Sequence, residues 1–354
     1  MRVLHCITSL WRGGAEHTLS KLLSNSTDQH LVLAIIKRPR SESVPTFNTP
    51  IIYLREAINP FNKKSFVSII KFSPQIIQGW MYHGDFIALC ISFICPKAKL
   101  FWNIRHSTFS ANSTKLTTRI LRRFLGFASR IVKPKILSCS ESGAKTHLSA
   151  GYYGTIQIVP NSYSDEFITP LILENTNPWL KGKSIKILSL GRNSPQKNRT
   201  YFIEIVSHIN RITKCMGFIQ GRDVSSDAHL MNLTSGESCE FTLNDESPSG
   251  ANAIQSANVL IMTSKYGEGF PNVLLEALVA GLWVFSTDVG DSRMLLEHDE
   301  FIIPYDSAKA ASLQIIRVMN STDSAQHLTQ IRHRALKKYS LMNMIDNYAS
   351  AWNT

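Results

Sequence analysis

The chain has 354 residues, 44% of them hydrophobic and 18% charged, with a formal net charge of +12. That length exceeds what one core usually serves, so two domains of about 150 residues each are expected, and the composition is that of a soluble globular protein. No apolar run approaches the roughly 20 residues that span a bilayer, and six cysteines without a C-x-x-C pair, in a chain this long, do not suggest a disulfide framework and fit a reducing cytoplasm.

The first apolar run, Val3 to Leu10, lacks a preceding basic stretch and leads into Arg12-Gly13-Gly14, so it is expected to be a strand rather than a secretory signal. A helical pattern follows, with Leu19, Leu22 and Leu23 on one side. Further runs suited to buried strands lie at His30 to Ile36, Ile76 to Gln78, Leu100 to Asn103 and Ile136 to Ser138, with room for crossover helices between them. Charge is uneven in this half: no acidic residue occurs between Asp85 and Glu141, where ten basic residues fall. One face must therefore be basic, which suits nucleic acid, anionic lipid or a phosphorylated substrate without choosing among them.

A second series begins after a loop rich in Asn, Pro and Thr, with strands at Ile185 to Leu190, Cys215 to Ile219, Val259 to Thr263 and Trp283 to Ser286. The expected fold is α/β, two doubly wound Rossmann-like domains facing a cleft. The boundaries are 1–165 for the N-terminal domain, 166–182 for a linker and 183–335 for the C-terminal domain. A last helix, 336–354, packs back on the first domain.

Two loops carry the chemistry. After the strand Val259 to Thr263 comes a loop containing Gly267, Glu268 and Gly269, then a helix from Pro271 to Ala280. Glu276 is the only charged residue between Val273 and Phe285, and a carboxylate on so apolar a helix needs a partner, either the helix dipole or a vicinal diol such as ribose. Glu268 would place negative charge beside a pyrophosphate, which disfavours a dinucleotide-binding turn and suits sugar hydroxyls. After the strand Ile185 to Leu190, Arg192 and Lys197 lie where a diphosphate binds in an open parallel sheet, unless that loop is merely solvated.

These features resemble retaining glycosyltransferases of family 4, which have the two-domain GT-B architecture. Gly267-Glu-Gly-Phe-Pro-Asn-Val-Leu-Leu-Glu-Ala-Leu-Val-Ala-Gly281 looks like that family's E-x7-E motif. It is continued by Ser286-Thr-Asp-Val-Gly290 and Glu297. Gly13-Gly14-Ala15-Glu16, Trp80 to His83, Trp102 to Ser107, Ser138 to Glu141, Val159 to Asn161 and Gly191-Arg192 with Lys197 occur in family order. The Trp80 and Trp102 segments look most like members that build bacterial surface polysaccharides, O-antigens included.

By that resemblance Glu268 binds donor-sugar hydroxyls, Glu276 the ribose, and Arg192 with Lys197 the diphosphate, with Gly13 and Gly14 approaching the phosphates from the facing domain. Gly269, Phe270, Pro271 and Asn272 complete the donor loop. His106, at the end of a first-domain strand, is the candidate active-site histidine and with Glu268 makes up the catalytic pair, with Arg105 and His83 as alternatives on the acceptor side. The resemblance implies a metal-independent reaction without a cofactor, a nucleotide-sugar donor expected to be a UDP-sugar, and a polyprenyl-diphosphate-linked glycan acceptor. Departures fall around the base and ribose pocket: Trp283 replaces the usual proline, and Asn161 is followed by Ser162.

The basic helix 114–132 sets Leu116, Ile120, Leu121, Phe124 and Phe127 among Lys115, Arg119, Arg122, Arg123 and Arg130. It is either a core-facing helix with a solvated side or an interfacial helix held on anionic lipid. The second reading places a cytoplasmic protein on the inner face of the bacterial inner membrane, with no nucleic acid partner expected. The rival functions are a nucleotide-sugar epimerase on the same fold and a non-catalytic binder of anionic lipid or nucleic acid.

Overall fold

The computed structural model describes all residues except 11–12, 37–48, 56–62, 108–115, 169–183 and 246–249. Thr114 and Lys115 of the expected basic helix, and most of the expected linker, lie outside the described residues. The chain forms two compact units, one of residues 1–162 with 341–354 and one of residues 163–340.

The strands of the first unit are β1 (Arg2–Ile7), β2 (Gln29–Ile36), β3 (Ile51–Arg55), β4 (Ile76–Trp80), β5 (Lys99–Ile104), β6 (Lys135–Ser138) and β7 (Ile156–Ile158). Its helices are α1 (Gly14–Asn25), α2 (Lys63–Phe72), α3 (Met81–Ile94), α4 (Leu116–Val132) and α5 (Glu141–Ser149). The sheet is parallel, in the order β3-β2-β1-β4-β5-β6-β7. Helices on both faces explain why β4 is buried at every position, and why such strands appear in sequence as unbroken apolar runs.

In the second unit the strands are β8 (Ile185–Leu190), β9 (Cys215–Gln220), β10 (Glu240–Asn244), β11 (Val259–Met262) and β12 (Trp283–Ser286). The helices are α6 (Arg199–Asn210), α7 (Ala228–Ser235), α8 (Ala251–Gln255), α9 (Asn272–Val279), α10 (Ser292–Leu296), α11 (Ala308–Met319) and α12 (Thr322–Lys338). This sheet is also parallel, in the order β10-β9-β8-β11-β12. Each unit therefore has one point where strand order reverses, between β1 and β4 and between β8 and β11. Loops leaving the carboxyl ends of those strand pairs diverge and leave a crevice, the usual ligand position in such sheets.

The last helix, α13 (Leu341–Asn353), belongs to the first unit. Met344, Tyr348, Ala351 and Trp352 are buried in its core cluster with Val3, Trp80 and Phe101. Trp352 donates to Gln78 Oε1 at 2.7 Å, and Tyr348 Oη accepts from Asn103 at 2.8 Å, so the indole and phenol bury apolar area without stranding their polar atoms.

Candidate functional site

In the second unit the loops after β8 and β11 are tied together. Lys265 N donates to the Gln196 carbonyl at 2.8 Å, and Thr263 Oγ1 reaches the carbonyls of Lys197 and Asn198 at 2.9 and 3.1 Å. Asn198 has φ 49°, a left-handed conformation that asparagine tolerates better than most residues, and it reverses the chain between Lys197 and α6. The junction sets Lys197 Nζ 2.8 Å from Glu268 Oε1, with both side chains about 15% exposed.

Glu268 Oε1 also accepts from Ser264 Oγ at 2.8 Å and Gln196 Nε2 at 3.1 Å. Burial opposes the carboxylate's charge, but the Lys197 charge and the bonds from Lys197, Ser264 and Gln196 together outweigh it. The carboxyl is held below its ordinary value. At neutral pH Glu268 is thus an oriented acceptor at the β8/β11 reversal, able to take hydrogen bonds from ligand hydroxyls.

The Glu268 loop rests on the segment after β12. Thr287 Oγ1 donates to the Ser264 carbonyl at 2.6 Å and Asp291 N to the Gly269 carbonyl at 3.0 Å. Gly290, at φ 57°, comes so close that an added Cβ would lie 2.4 and 2.5 Å from the carbonyl oxygens of Gly269 and Glu268. Gly269, Phe270 and Pro271 are buried, with the Phe270 ring 5.1 Å from that of Tyr339, so they anchor the loop.

On α9 the partly exposed positions are Asn272, Val273 and Glu276, while Leu274, Leu275, Ala277, Leu278 and Val279 are buried. Three- and four-residue spacing puts the exposed positions on one stripe, where Glu276 emerges from an apolar helix. Arg192 is exposed. Below it, Arg199 is buried, donates to Ser189 Oγ and reaches the Gly191 carbonyl at 2.5 Å. Burial pushes its guanidinium down to about 10.

In the first unit, residues from four elements converge at the carboxyl end of the sheet. Arg105, just beyond β5, donates to Thr18 Oγ1 on α1 at 2.7 Å and to Asn161 Oδ1 after β7, and its guanidinium lies 5.6 Å from the centre of the Trp80 ring. Gly13 and Gly14, exposed at the start of α1, and His83, exposed in the first turn of α3, flank this group. Met81, at the start of α3, has φ 64°, a conformation that costs of order 1 kcal/mol or more for such a residue. His106 is partly exposed beside the start of α5, where a Cβ on Gly143 would stand 3.1 Å from its carbonyl oxygen.

The structure therefore brings Lys197 and Glu268 into direct contact and ties Arg105 into its own framework. The supporting residues Ser264, Gln196 and Arg199 carry no sequence signal of their own, whereas Gly290 closes the Ser286-Thr-Asp-Val-Gly290 segment of the motif. Ser264 and Gln196 are polar loop residues like many others, and only the approach of two loops distant in sequence gives them a role.

Residues 174–335 match the family model described as "Glycosyl transferases group 1". No curated protein matches the chain. Among solved structures it is similar to Anabaena HepE in complex with UDP-glucose, at 15% identity and a TM-score of 0.80, covering 100% of this chain and 99% of that one. It is also similar to sucrose-phosphate synthase from Thermosynechococcus elongatus, at 14% identity and TM-score 0.75, covering 99% and 98%. A glycosyltransferase from Rickettsia africae matches at 15% identity and TM-score 0.73, covering 99% and 97%. The chain thus has the α/β fold of two parallel-sheet Rossmann-like units found in GT-B glycosyltransferases, with its second unit carrying the match to glycosyl transferases group 1.

Proposed function

We propose that this protein is a retaining glycosyltransferase that moves a sugar from a nucleoside-diphosphate sugar, with a UDP-sugar as the expected donor. The observation that carries the reading is the contact between Lys197 and Glu268 at the β8/β11 reversal, a cation and an oriented carboxylate held by two loops. A donor sugar offers matching groups: a diphosphate for Lys197 and Arg192, ribose hydroxyls for Glu276 and sugar hydroxyls for Glu268. Support comes also from HepE, whose structure contains UDP-glucose.

In the reaction the acceptor hydroxyl forms a bond to the anomeric carbon on the face that the diphosphate leaves. The bond from that carbon to phosphate oxygen breaks, and the departing phosphate takes the acceptor's proton. Lys197 and Arg192 neutralise the charge that develops, so no divalent ion is needed for this step. His106 is the active-site histidine in this reading, with Arg105 and His83 as residues for the acceptor.

The acceptor in this reading is a polyprenyl-diphosphate-linked glycan of a surface polysaccharide such as O-antigen, met at the membrane surface. No described helix is long and apolar enough to cross a membrane. On α4, however, Leu116, Ile120, Phe124, Phe127 and Ile131 are between 45% and 67% exposed, while Leu125, Gly126, Ala128 and Ser129 are buried. The exposed residues form one helical stripe beside Arg119, Arg123 and Arg130, the pattern of a helix lying in an anionic lipid interface.

The test is a panel of nucleotide sugars assayed with lipid-linked acceptors, with and without EDTA. The expected result is acceptor-dependent release of nucleoside diphosphate, unchanged by EDTA, and a product whose linkage retains the donor's anomeric configuration by NMR. Interconversion of a donor sugar without any acceptor would instead identify an epimerase.

A further inference from the structure

Away from the Lys197–Glu268 contact, His298, Glu300 and His327 form the one group of three His, Cys, Asp or Glu side chains with metal-ligand spacing among the described residues. One ligand atom from each lies within 4.8 Å of the others. His298 follows α10, Glu300 sits in the short 3-10 turn Asp299–Phe301, and His327 projects from α12. The two imidazoles stack face to face, with ring centres 4.1 Å apart and planes 19° from parallel. His327 Nδ1 meets Glu300 Oε1 at 3.0 Å.

We propose that these three side chains bind a divalent transition-metal ion of the zinc class, through one nitrogen of each histidine and one oxygen of Glu300. A tetrahedral zinc ion with bonds of about 2.1 Å holds its ligand atoms about 3.4 Å apart. The His327–Glu300 spacing is within a few tenths of an ångström of that value, and His298 closes the set by a side-chain rotation. All three residues are partly exposed, so an ion can enter and water can complete the shell.

The surroundings fix the carboxylate as metal sites commonly do. Ser324 Oγ donates to Glu300 Oε2 at 2.9 Å, leaving Oε1 facing His327. The Glu300 backbone is held in turn by Gln314 Nε2 of α11, 2.9 Å from its carbonyl. Two nitrogens and one oxygen suit zinc, copper or nickel rather than magnesium or calcium, which prefer all-oxygen shells.

The ion has a structural consequence. Glu297, next to His298, has φ 59° and pairs with Arg334 of α12 at 2.7 Å. Arg332 of the same helix donates to the carbonyl of Val279, the last residue of α9. An ion joining residues 298–300 to α12 therefore braces the helix against which the Glu276-bearing α9 is packed. It takes no part in the transfer step, so the site and the proposed reaction stand or fall separately.

The test uses the full chain stripped of metal with a chelator and then titrated with Zn2+ alone, read by calorimetry and by thermal unfolding. One ion should bind per chain, with micromolar or tighter Kd, and the midpoint of unfolding should rise. His298→Ala and Glu300→Gln should each weaken binding at least 10-fold and abolish the rise, while unfolding cooperatively without metal. Glu300→Gln keeps the side chain's shape and its contact with Ser324, so its loss of binding does not reflect misfolding. Absence of Zn2+ binding, or binding unchanged in both variants, overturns the proposal and leaves an ordinary His327–Glu300 pair.

Discussion

Glu268 illustrates how a site is made from ordinary residues. A carboxylate so little exposed is costly by itself, yet three donors on Oε1 and the Lys197 charge keep it ionised. The same contacts orient it, and orientation depends on a glycine without a functional group. With Gly290→Ala, the new Cβ meets the backbone of Gly269 and Glu268 at 2.4 and 2.5 Å, at a φ that alanine also disfavours. Neither backbone atom can swing away as a side chain would, so the Glu268 loop must shift. We expect a protein that still folds but has kcat/KM lowered by about 100-fold, the usual cost of misplacing a reacting group by about 1 Å. Circular dichroism beside donor-saturation kinetics checks this, and unaltered kinetics would show that the loop does not depend on Gly290.

At the scale of elements, what could be read from sequence depended on burial. Strands such as β11, buried at every position, announce themselves as apolar runs. So does the change from loop to helix between Glu268 and Glu276, because the run from Val273 to Phe285 admits only one charge. The strands β3, β7 and β10 escape such a reading. β3 and β10 are sheet edges in which Ile51 to Tyr53 and Phe241 to Leu243 are only partly buried, and β7 is three residues long. The meeting of Gln196 with Lys265 and Glu268 escapes it too, since nothing local records which loops become neighbours once β8 pairs with β11.

The helix α4 makes an element-level prediction. Its apolar stripe includes Phe124 and Phe127, 45% and 64% exposed. Phe124→Glu combined with Phe127→Glu removes apolar area and places two anions among the arginines. Co-sedimentation with anionic vesicles should be retained by the parent protein at low salt and reduced at least 10-fold in the variant, with solubility unchanged. Equal sedimentation of both proteins would remove lipid as the partner of that face.

For the whole molecule, each unit repeats the same device, a parallel sheet whose strand order reverses once. In the first unit the reversal is flanked by Gly13, Gly14 and the Trp80–His83 junction of β4 with α3, and in the second by Lys197 and Glu268. The overall α/β architecture follows from the alternation of apolar runs and amphipathic segments, and its agreement with GT-B structures extends over the full chain at about 15% identity. At such distance the fold persists while individual side chains diverge, so the donor reading rests on the residues of this chain. The most direct measurement is binding of UDP, by calorimetry, to the parent protein and to Lys197→Met. A diphosphate site at the β8/β11 reversal predicts measurable UDP binding that weakens at least 10-fold in the variant while uridine binds both proteins alike. Equal UDP affinity for the two proteins would contradict it.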